Sequence, residues 1–294
     1  MWQFILEENK CFLSGISCVI LTISYVGSLY IWKSKLHRDH PNTIKKRFFS
    51  VSCMMLIAPF FTFALVREEL LQNGDLHDYM GLRISGMLTA SIIPLLLTAT
   101  LFLGPLTMHY FAGTWRPYRN PFRWFYNWTN MVWLRNHIMA PLSEEWVFRS
   151  CMMPLLMQCF EPVTAMFIGP LLFGIAHFHH VYEQMSSGRS FKYAFSISAF
   201  QFSFTTVFGV YSSFLFLRSG HFFAPLVAHI FCNHLGFPNI TGAFDFPLLP
   251  RIVILSNFVI GLVSWCYLLV PLTEPYIYDN KMQLLAQVDI RNYF

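Results

Sequence analysis

Three polar sets in an otherwise apolar chain have the residue types for chemistry: Glu144, Glu145 and Arg149; His177; and His229 with Asn233. At helical spacing Glu145 and Arg149 are i,i+4 and pair, whereas Glu144 points about 100° around the helix and is left to face a cavity. His229 and Asn233 are also i,i+4 and share a face. A carboxylate, two imidazoles and an amide support hydrolysis in two ways. In one, Glu144 activates a water as general base with His177 assisting, and His229 and Asn233 donate hydrogen bonds to the developing oxyanion. In the other, the Glu and His side chains hold a zinc ion that activates the water. The HExxH helix common in zinc proteases is missing from the sequence, which disfavours the metal. No GxSxG elbow indicates a serine nucleophile. Cys151, on roughly the same face as Glu144, reads first as an ordinary buried thiol and only second as a nucleophile. The bland reading of all these residues is a polar network that glues helices together.

The elements that must position them are membrane helices. Of the 294 residues, 55% are hydrophobic and only 12% are charged. The mean hydropathy is +0.47. Soluble domains carry about 25% charged residues, so the chain is read as all-α, polytopic and integral to a membrane. About eight spans of bilayer length are expected. They run roughly over 11–32, 48–66, 84–110, 136–160, 162–177, 193–217, 221–235 and 252–269. His179 to Lys192 is expected to be a polar loop. The whole chain, 1–294, is expected to form one domain around an intramembrane cavity. The seven cysteines are scattered singly, so no disulfide framework is expected. The net charge of +5 does not point to nucleic acid, because its placement follows the positive-inside pattern. The segment Lys33 to Arg47 holds six Lys/Arg against Asp39, and Thr114 to Arg135 adds four arginines among aromatics. Both loops fall on one face, expected to be cytosolic. That topology puts Glu144, His177, His229 and Asn233 in the cytosolic half of the bilayer. The sequons at Asn127 and Asn239 then face the cytosol and stay unglycosylated.

EEWVFR (Glu144 to Arg149), FGIAH (Phe173 to His177) and HIFCN (His229 to Asn233) resemble the three motifs EExxxR, FxxxH and HxxxN of the CPBP intramembrane proteases. The surrounding text, from about residue 136 to 238, is similar to the type II CAAX prenyl endopeptidases of that family. The resemblance implies an endoplasmic reticulum protease that removes the last three residues from prenylated CAAX proteins such as small GTPases. It implies Glu144 as base, His177 as its assistant, His229 and Asn233 as oxyanion donors, and Glu145 and Arg149 in support. It implies no established metal, with zinc the lesser alternative. Membrane lipid is the other expected partner. A non-enzymatic scaffold with these motifs, or a proton-coupled transporter using the same groups, are the competing classes.

Overall fold

The computed structural model describes residues 9–32, 36–66 and 75–280. Lys33 and Lys35 of the basic segment Lys33 to Arg47 lie outside the described residues. Every regular element among the described residues is helical: α1 (Lys10–Ser28), α2 (Pro41–Leu65), α3 (Met87–Leu101), α4 (Leu103–Phe111), α5 (Pro121–Thr129), α6 (131–157), α7 (Pro162–Ala176), α8 (His179–Ser186), α9 (Phe191–Ser219), α10 (Phe223–Leu235) and α11 (Leu248–Leu269), with short single turns between them.

Among the described residues, five helical stretches are long and apolar enough to cross a membrane, α7 and α8 counting as one. The chain is therefore a multi-pass membrane protein. Exposed Phe60, Phe63, Leu248 and Tyr267 give these helices their outward apolar face. The expected third span is instead a pair, α3 and α4, bent by 71°. Pro105 explains the break: it lacks an amide proton and its ring clashes with the carbonyl four residues back, at the end of α3. Counting the pair as one span makes six. The other two expected spans, α6 and α10, are too broken or too short to count by length and composition.

α6 carries the EExxxR residues, and its irregularity has a cause. It alternates α and π turns, with π turns at Arg135–Met139 and Trp146–Cys151. Pro141 and Pro154 lie just beyond them, so each proline ring would clash with a carbonyl inside a π turn, at residues 137 and 150. Widening the turn relieves the clash without ending the helix.

Around α6 the packing is close. α7 lies along α9, and α10 against α3. Gly174 of α7 sits where a Cβ would collide with Thr206 and Phe202 of α9, so the FGIAH glycine permits that approach. Gly209 of α9 likewise leaves room for Pro170 and for the Arg149 guanidinium.

Two expectations are corrected. The stretch after His177 is not a loop: α8 runs from His179 to Ser186. The scattered cysteines also hide a disulfide, Cys11 to Cys159, whose Cα atoms are 5.2 Å apart. It joins the start of α1 to the segment after α6, and a separation of 148 residues leaves no local spacing signal.

Candidate active site

Glu144 and Glu145 are neighbours with opposite surroundings. Glu145 is fully buried and every oxygen is committed. Its Oε1 accepts from Arg149 Nη1 at 3.3 Å and from His229 Nδ1 at 2.6 Å. Its Oε2 accepts from Ser212 Oγ at 2.7 Å. Arg149 in turn donates to the Gly209 carbonyl and stacks on the Phe173 ring, 4.7 Å from its centroid. A buried ion pair is tolerated only when its remaining lone pairs and protons are also satisfied, and this one meets that condition.

Glu144 retains 17% side-chain exposure and stands on the wall of a cavity of about 440 Å³. Its Oε2 lies 3.6 Å from His229 Nε2. Since the Glu145 carboxylate only accepts, His229 Nδ1 is the protonated nitrogen in that bond. Nε2 then faces Glu144 and donates to an oxyanion only when the ring carries a second proton. His177 lines the same cavity. Its Nδ1 donates to the Phe173 carbonyl at 2.8 Å, which leaves Nε2 as a lone pair for a water or a proton. It makes no hydrogen bond to Glu144. Asn233 is nearer the open end, where its Nδ2 donates to the Asn136 carbonyl at 2.9 Å. One amide proton is thus spent on α6, and the other remains for a ligand.

The structure therefore brings Glu144, Glu145, Arg149 and His229 into direct contact, and sets His177 and Asn233 on the same cavity. Ser212 and Gly209 were missed by sequence reasoning. The available signal was the small polar pair Ser212–Ser213 in the otherwise bulky run GVYSSFLFL of α9. Cys151 is buried, and its carbonyl accepts from Thr62 Oγ1 at 2.9 Å. It does not line the cavity.

The stretch 126–235, which holds all of these groups, matches the family model described as type II CAAX prenyl endopeptidase Rce1-like. The chain is 44% identical over 280 residues to the human CAAX prenyl protease 2, covering 92% of this chain and 84% of that protein. It is 39% identical to the rat CAAX prenyl protease 2, with 92% and 83% covered. It is 31% identical over 298 residues to the protein of that name from Arabidopsis thaliana, covering 94% of each. The chain belongs to the type II CAAX prenyl endopeptidase family. No solved structure matches it. In this family member the three motifs come from α6, the end of α7 and α10, and they converge because α7 and α10 both pack against α9.

Proposed function

We propose that the chain is an endopeptidase that removes the last three residues from prenylated CAAX proteins, small GTPases among them, with Glu144 as general base. The carrying observation is the inequality of the two carboxylates: Glu145 is saturated, while Glu144 opens onto a cavity shared with His177 and His229. Glu144 takes a proton from a water whose oxygen attacks the scissile carbonyl. The His177 lone pair holds that water, and the free Asn233 proton meets the oxyanion, joined by His229 Nε2–H when that ring carries its second proton. Glu144 returns the proton to the departing amine, and the tripeptide leaves.

Ligand geometry supports a base over a zinc site. Among the described residues Glu144, His177 and His229 do not bring three ligand atoms within 4.8 Å of one another. The group that does is His179, His180 and Glu183, and there both Glu183 oxygens already accept from arginines.

Arg38, Arg47 and Arg135 line the cavity at the basic end of the helices, and the Cys11–Cys159 bond lies at the other end. Disulfides persist in an oxidising lumen and cytosolic loops are rich in Lys/Arg. Both features support a site that faces the cytosol from the endoplasmic reticulum membrane, where a prenyl chain enters from lipid and peptide from water. The test is cleavage of a farnesylated CAAX peptide by the purified protein. Wild type is expected to release the tripeptide, while folded Glu144→Ala, His177→Ala and His229→Ala variants do not. Normal cleavage by Glu144→Ala would sink the base assignment.

A further inference from the structure

The mouth of the cavity carries a chain of alternating charges that the hydrolytic reading leaves unused. Arg135 Nη1 donates to Asp39 Oδ1 at 2.8 Å. Arg38 Nε lies 3.8 Å from the same oxygen, and Arg38 Nη1 donates to Glu183 Oε2 at 2.7 Å. Arg47 Nη2 donates to Glu183 Oε1 at 2.9 Å. His180 Nδ1 also binds Glu183, at 3.0 Å, and His37 Nδ1 lies 3.6 Å from Asp39. Three guanidinium groups face two carboxylates, so one positive charge is left over even with both histidines neutral. Burial works against the Asp39 carboxylate, but Arg135, with Arg38 and His37, holds it below its usual range, so the pair with Arg135 stays charged at neutral pH. All three arginines line the cavity that holds Glu144.

A substrate cut three residues from its end brings one charge of its own, the terminal carboxylate. Left unpaired in the apolar interior it would carry a large desolvation penalty. Its distance from the scissile bond is fixed: three extended residues reach about 10 Å, and a charge-assisted hydrogen bond adds about 3 Å. Arg135 lies nine residues before Glu144 on α6, at most about 13 Å along the axis and less through the π turn at Arg135–Met139, so a peptide of that length can reach from one side chain to the other along the shared cavity.

We infer that the arginine chain at the cavity mouth, with Arg135 as its first contact, binds the terminal carboxylate of the peptide substrate and so sets cleavage three residues from the end. The inference rests on the endopeptidase reading above. Arg38, next along the chain, supplies the second positive charge, and Asp39 competes with the substrate for Arg135.

The experiment uses the full chain in vesicles with two farnesylated peptides, one ending in a free carboxylate and the other in a carboxamide. Wild type is expected to favour the free acid about tenfold in kcat/KM, through KM, as a hydrogen bond to a charged group implies. Arg135→Gln is expected to reduce that preference to about twofold. Asp39→Asn is expected to enlarge it, a change of opposite sign that damage to the fold would not give. Equal cleavage of both peptides by wild type overturns the anchor and leaves the endopeptidase reading standing. An undiminished preference in both Arg135→Gln and Arg38→Gln does the same. A preference that follows the anionic lipid content of the vesicle rather than the peptide terminus assigns the arginines to headgroups and also overturns it. Cleavage of neither peptide by wild type removes the endopeptidase reading, and the anchor with it.

Discussion

Two ionic networks lie along the same cavity and are built on opposite lines. The inner one, Glu145 with Arg149, His229 and Ser212, is almost wholly buried. The outer one, running from Arg135 through Asp39, Arg38 and Glu183 to Arg47, is exposed at Arg38 and Asp39, 41% and 45%, and holds one more positive than negative charge. A saturated buried network holds one geometry, because moving any member strands a charge. An open network exchanges partners at little penalty, since exposed ion pairs contribute about 0–1 kcal/mol. The inner set is suited to orienting His229 toward Glu144, and the outer set to admitting a charged guest.

The sharpest way to break this contrast is at Glu144. Glu144→Gln keeps the side chain's shape and removes the base, so cleavage of a farnesylated peptide is expected to fall by about 10²–10⁴ while the melting temperature holds. Arg149→Ala comes next. It leaves the Glu145 charge buried with less compensation, and a loss of about 3–5 kcal/mol is expected in denaturation of the detergent-solubilised protein. Ser212→Ala removes one hydrogen bond to a charged group. A penalty of about 1.5–3 kcal/mol is expected, with kcat lowered and KM little changed, and Ser212→Thr should recover part of it. The smallest effect belongs to the outer network: Arg38→Ala is expected to alter stability by less than about 1 kcal/mol. If Arg38→Ala destabilised as much as Arg149→Ala, the two networks would not differ in kind.

Much of the inner site was readable before any coordinates. The Glu145–Arg149 pair follows from helical spacing, and so does the shared face of His229 and Asn233. Contacts between elements distant in sequence were not readable. The Ser212 hydroxyl meets Glu145 across 67 residues, and the polar pair Ser212–Ser213 marks a spot on α9 without naming its partner. Glu183 lies in a stretch that reads as a loop, because the eight residues of α8 span too few turns for a helical period to stand out. The Cys11–Cys159 bond was invisible for the same reason of distance. The bend at α3–α4 is half visible in the sequence: a proline at 105 interrupts the helical hydrogen bonds, but the 71° angle depends on what packs there. Asn233 was placed on the right face, yet its bond to the Asn136 carbonyl shows that half of its donor capacity joins α10 to α6.

The π turn at Trp146–Cys151 has a consequence for how this chain tolerates insertions and deletions. Such a turn holds one more residue than the α turn it replaces, so the helix after it is out of phase with the helix before it. Loss of any one residue there would restore an ordinary helix and rotate everything beyond by about 100°. Met152, Met153 and Leu155, now fully buried, would all meet different neighbours, and Cys159 would turn away from Cys11. Within those six positions the residue count is thus fixed more tightly than the residue identities, and change in this lineage should proceed there by substitution without change of length.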